Sequence, residues 1–307
     1  MGSRLMLACG LAAALLWVPT AAADPITLTG NVAQDFSYNA SGTGSTNPEV
    51  DIIQHSNIPD HIAQPQWMTS SGLVSGWNIN NVAVGYDPTS DTLYVGVKTF
   101  GVAGNVDGNG TPGTPDPRLT ADGGTDPANF GGDKAMAIGI APVTHTFTAS
   151  NPPEPTIVAG VPGHKAEAGS GLDGFTVASY APVANTAGPN YDLVTSFGQP
   201  LAAAAGSRLA FDPSSQHPGF EFTITNFSKL LGYNPLNGFA LSVQDGSVDS
   251  VVTGKDYVPS TLVTFPQEQR IPEPATWMAW LFLAGAGAAV RCRRSTPASS
   301  RGGKSCP

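Results

Sequence analysis

Several short runs of the chain place their larger apolar side chains at every second position. In Val82, Ala83, Val84, Gly85 and Tyr86 the larger residues fall on one face, and in Leu93, Tyr94, Val95, Gly96 and Val97 the aliphatic ones do. A period of two is that of a strand with one buried face. Between these runs, residues 87–91 (DPTSD) carry turn chemistry, so the two predict a hairpin. Phe220, Phe222 and Ile224 alternate with Glu221 and Thr223, and Phe239, Leu241 and Val243 with Ala240 and Ser242, which predicts two more half-buried strands. Further strands are expected near residues 26–32, 134–140, 156–159, 175–180 and 257–265. Helix is scarce, with a turn or two at 201–205 and 227–231. Many short strands separated by Gly, Pro and Asn clusters predict an all-β fold, a β-sandwich of antiparallel strands. Residues 150–155 (SNPPEP) read equally as a domain linker or as a loop inside one sandwich.

The two ends of the chain have a different pattern. Arg4, an apolar run over residues 5–18 and small residues at Ala21 and Ala23 are the three parts of a secretory signal peptide, cleaved before Asp24. The run is shorter than the roughly 20 residues a spanning helix needs. At the other end Pro272, Glu273 and Pro274 precede the apolar residues 275–290 (ATWMAWLFLAGAGAAV), which Arg291, Arg293 and Arg294 follow. An apolar helix closed by arginines is a stop-transfer signal, with the arginines cytoplasmic and the bulk of the chain outside. This arrangement resembles the PEP-CTERM sorting signal of exosortase substrates, with IPEP in place of VPEP. The resemblance implies a transient membrane anchor at 275–290, a cytoplasmic tail at 295–307 and processing by a sorting transpeptidase or protease of the exosortase type. The alternative is a permanent anchor that is never cleaved.

Composition narrows the role of the exported body, residues 24–270. It holds eight basic and 22 acidic residues, a net charge of −14. Such a field repels nucleic acid and favours cations. Cys9, Cys292 and Cys306 all lie in the terminal segments, so the body has neither a disulfide nor a thiol nucleophile. Exported domains without disulfides gain rigidity from core size or from bound calcium.

One polar stretch has the spacing for that ion. Asn105, Asp107 and Asn109 stand at positions 1, 3 and 5 of a loop, Gly110 at 6 and Asp116 at 12, the order in which a tight turn aims oxygens at one Ca²⁺. Asp122 and Asp126 could add carboxylates across the excursion 104–132. An ordinary Asn/Gly/Asp turn cluster uses the same residues for backbone reasons. Pro112, Pro115 and Pro117 forbid the following helix of an EF-hand, so any calcium loop here is expected to connect strands, and Asp107 is expected to have little packing role.

Other chemistry is thin. His55, His61, His145, His164 and His217 form no HExxH pattern and read as loop residues. No GxSxG elbow positions a nucleophile. Trp77 is expected in the core, and Trp67 could be buried or exposed. The segment 75–110 (SGWNINNVAVGYDPTSDTLYVGVKTFGVAGNVDGNG), with the later GFEFTITNFSKL and GKDYVP stretches, resembles exported DOMON-like and carbohydrate-binding β-sandwiches over residues 50–265. That resemblance implies a sandwich and a glycan ligand, and no reaction. Three roles follow: a non-enzymatic surface or matrix protein that binds exopolysaccharide, a secreted hydrolase of matrix polysaccharide, and a structural envelope component.

Overall fold

The computed structural model describes residues 26–56, 64–126, 134–143, 147–163, 174–182, 193–211, 217–247 and 256–265. Ala21, Ala23, Pro272, Glu273, Pro274, Arg291, Arg293 and Arg294, with both terminal segments they belong to, lie outside these residues. Among the described residues the strands are β1 (Val50–Gln54), β2 (Ile79–Asp87), β3 (Thr92–Thr99), β4 (Lys134–Pro142), β5 (Ile157–Val161), β6 (Thr176–Tyr180), β7 (Phe197–Pro200), β8 (Arg208–Phe211), β9 (Phe220–Thr225), β10 (Phe239–Ser247) and β11 (Asp256–Val263). The α-helices among the described residues are short: α1 (Val32–Asp35), α2 (Gln66–Ser70), α3 (Pro117–Ala121) and α4 (Phe227–Leu231).

The alternation read from the sequence sets the pairing. The hairpin β2–β3 brings Tyr86 opposite Leu93 and Val84 opposite Val95. β9 then adds to β3 with Phe222 opposite Val95. The result is a five-stranded sheet in the order β1-β2-β3-β9-β8. A six-stranded sheet runs β11-β10-β4-β5-β6-β7. Every pairing is antiparallel.

Inward side chains of the two sheets belong to one hydrophobic cluster, in which Val84, Val95 and Phe222 of the first sheet join Ile138, Ala159 and Leu241 of the second. All six are fully buried. Burying a Val, Ile, Leu or Phe contributes about 1.5–3 kcal/mol each, so this shared layer dominates the stability of the fold. It is a mostly β architecture of two antiparallel sheets, consistent with the expected sandwich. Trp77, expected in the core, is 1% exposed there.

The strand expectations need two corrections. Residues 26–32 form no strand, because Gly30 turns the chain at φ 91° and Asn31 caps α1, its side chain accepting from the Gln34 N–H. β1, β7 and β8 were not anticipated. Each is only four or five residues long, too short for a period of two to stand out. Of the two readings of residues 150–155, the loop within one sandwich fits: they are part of the connection between the neighbouring strands β4 and β5, where Thr148 and Asn151 form a bridge.

Candidate functional site

Residues 101–126 leave the end of β3 and fold back over residues 74–76. Two glycines permit the close approach. Gly76 donates its N–H to Asn105 O at 2.7 Å, and a Cβ on it would run into Val102 O. At Gly108, φ is +70° and a Cβ would sit 2.6 Å from Val74 O. Ala103, Val106 and Leu119 drop from the excursion into the main core. This is not a purely polar loop.

Within the excursion the side-chain oxygens organise the backbone. Asp107, fully buried, accepts from Asn109 N at 3.0 Å, Asn109 Nδ2 at 3.1 Å and Asp116 N at 2.6 Å. Asp126, 3% exposed, accepts from Val106 N and Gly113 N, each at 3.0 Å. Asn105 Oδ1 accepts from Gly110 N at 3.3 Å, while Asn109 Oδ1 accepts from Thr111 N and from Asn105 Nδ2. Asn105, Asp107 and Asn109 are therefore brought together. Asp126, outside the spaced motif, joins them.

Asp116 does otherwise. It is the N-cap of α3, accepting from Arg118 N at 2.8 Å, and its carboxylate also accepts from Arg118 Nε and one guanidinium NH₂, each at 2.9 Å. These contacts hold its carboxyl down at about 2. The prolines act differently from the expectation as well. Pro117 begins a helix, because N1 is the position where the missing N–H costs nothing. Asp107 shows the opposite electrostatics: burial pushes its carboxyl up, two backbone N–H groups pull it down, and the nearby Asp126 and Asp116 carboxylates push it up again. Its expected lack of a packing role does not hold, since a buried hub with three donors is integral to the loop.

Trp67 braces the outside of the excursion. Its indole N–H donates to Asp122 at 3.1 Å, and the Arg118 guanidinium lies 4.5 Å from its ring centroid. One ring face is thus occupied by a cation. His55, expected as a plain loop residue, lies 3.2 Å from the buried Asp256, which also accepts from Ile79 N and Tyr257 N at 2.6 Å each. That contact ties the end of β1 and the start of β2 to β11 of the other sheet. The pattern of histidines alone could not have found it, because its partner is 201 residues away. His61, His145 and His164 lie outside the described residues.

The largest of three described clefts, of about 510 Å³, is lined by Tyr86, Pro88, Ser228, Lys229, Gly232, Tyr233 and Asn234. Asp91 ties two of these residues together, accepting from the Tyr86 hydroxyl at 2.9 Å and from Ser228 N and Oγ at 2.8 Å. Burial raises the Asp91 carboxyl, but the bonds from Ser228 and Tyr86 outweigh it and hold the group below the usual carboxylate range. Tyr233 is pinned by its hydroxyl, which donates to Gly238 O at 2.7 Å and accepts from Val143 N at 3.1 Å. A second cleft lies over Phe175 and Leu201, and a third over Tyr257 and Pro259. No Asp or Glu lines any of the three.

Among the described residues no group of three or more His, Cys, Asp or Glu side chains is arranged to hold a metal ion. No protein-family model, curated protein or solved structure matches the chain.

Proposed function

We propose that the chain is an exported, non-enzymatic surface or matrix component, sorted through its PEP-CTERM-like tail, whose two-sheet body binds an extended glycan weakly. The tail and the signal peptide supply the export and sorting part of this reading. The cleft at Tyr86 and Tyr233 carries the binding part. The half-buried Tyr233 ring, pinned by its own hydroxyl beside Ser228, Lys229 and Asn234, suits the mixed apolar and hydroxyl surface of a sugar. Three buried acids, Asp107, Asp126 and Asp256, accept backbone N–H groups inside the fold.

A glycan-array screen of the full chain, with and without calcium, tests the binding. Retention of an extended polysaccharide that weakens in Lys229→Ala supports the reading. Turnover of that polysaccharide, abolished by replacing one Asp or Glu, would establish the hydrolase in its place. Intact-mass analysis of surface-extracted protein tests the sorting, with an N-terminus near Asp24 and loss of the tail beyond about Pro274 as the expected result. A full-length C-terminus in membranes would support a permanent anchor.

Calcium belongs to this reading in a modified form. The crowding of Asp107 by Asp126 and Asp116 is the observation that favours a cation. The residues that would hold it are Asn105, Asp107, Asn109 and Asp126, with Asp116 left to Arg118. The ion would supply charge neutralisation to a loop already shaped by its hydrogen bonds. Calcium at about 100 times its dissociation constant should then add roughly 2.7 kcal/mol. An unchanged melting temperature on adding calcium to EDTA-treated protein removes the ion from the account.

A further inference from the structure

The outer face of the five-stranded sheet is covered by the segment 26–46. Val32 and Phe36 of this strap are buried against Val50 and Ala83, with Ile26, Leu28 and Tyr38 packed around them. Glycines on the sheet make the room: a Cβ at Gly96 would lie 2.6 Å from the Phe36 ring and 2.8 Å from Val32. Directly opposite Gly96 in the register of β3 and β9 stands Glu221.

Glu221 is fully buried under the strap. Its Oε2 accepts from the Gly30 N–H at 2.7 Å, and its Oε1 meets no hydrogen-bond donor. The neighbouring acidic group is Asp35 of α1, whose Oδ2 already accepts from the backbone N–H and the hydroxyl of Thr29. A fully buried carboxyl with a second carboxylate beside it is favoured in its protonated form. A proton on Glu221, donated toward Asp35, resolves both the repulsion and the unmatched oxygen.

We propose that the 26–46 segment is a proton-held strap, closed on the sheet while Glu221 keeps its proton and released when that proton is lost in alkaline solution. The other groups facing this place do not neutralise Glu221. Tyr38 follows α1 and gives its hydroxyl to Asn81. Tyr94 and Lys98 project from the same face of β3, and the Lys98 ammonium lies 5.6 Å from the centroid of the Tyr38 ring. Arg208 of β8 stands on the same face two residues from the partner of Glu221, and is exposed. Burial pushes the Glu221 carboxyl up, the Gly30 and Thr29 N–H groups pull it down, and Asp35 pushes it up again, for a net rise to about 8. A carboxyl raised in the folded state favours the closed strap at low pH. That preference is lost as pH rises through about 8.

Hydrogen exchange of the full chain, read by mass spectrometry at pH 6 and pH 9 and corrected for base catalysis, tests this. Protection of residues 26–46 should fall on the order of a hundredfold relative to β4 and β10. Glu221→Gln should abolish the fall, and Asp35→Asn should move it to lower pH by removing the charge that raises Glu221. Equal protection of the strap at both pH values in the unmutated chain would overturn the proposal. So would the same fall in Glu221→Gln, and, should that variant fail to fold, an unmoved transition in Asp35→Asn.

Discussion

The layer between the two sheets and the excursion 101–126 are both ordered, but by opposite means. Between the sheets, order comes from many apolar side chains at a period of two, each adding a similar increment. In the excursion it comes from Asp107 and Asp126, which between them accept from five donors spread over residues 106–116. The first kind of order is distributed, so one lost contact weakens it in proportion. The second is concentrated, because removing a single buried acceptor leaves several donors unmatched at once. Glu221 beneath the strap belongs to the second kind.

The largest effect expected lies in the distributed region. Phe222→Ala should cost about 3–5 kcal/mol in urea unfolding, as the ring is fully buried among residues of both sheets. A cost below about 1 kcal/mol would mean that the sheets do not share their core in this way. Next comes the acid beneath the strap. Raising the pH from 6 to 9 should remove about 2–3 kcal/mol of stability, because the folded carboxyl, raised to about 8, must give up its proton in a buried site. Glu221→Gln should flatten that dependence in calorimetric scans across the same range. A wild-type profile that is already flat would place Glu221 with the distributed core.

The same division explains what could be read from the sequence. The strands β2, β3, β9 and β10 were legible because their inward residues, such as Val82, Val84, Phe220, Phe222, Phe239 and Leu241, alternate without interruption. β1, β7 and β8 were not, since short strands at or near the sheet edges need little patterning. Asn105, Asp107 and Asn109 were legible as a cluster through their spacing. Asp126 could be named only as an added carboxylate, its place fixed by a long return of the chain. The pairing of Asp116 was not legible from the spacing, because Arg118, two residues on, engages its carboxylate at the helix cap. Glu221 gave no signal beyond being the polar member of an alternating strand, for which the expected environment is solvent. The strap that buries it comes from 191 residues away.

The claim that buried carboxylates hold the irregular parts of this fold is tested most directly by the melting temperature of Asp107→Ala against the unmutated chain, both in EDTA. Loss of the acceptor should cost about 1–3 kcal/mol even without any cation, and each kcal/mol should lower the midpoint by about 2–4 °C for a body of this size. An Asp107→Ala midpoint equal to that of the unmutated chain in EDTA would contradict the account, and would make Asp107 a carboxylate with no structural task of its own.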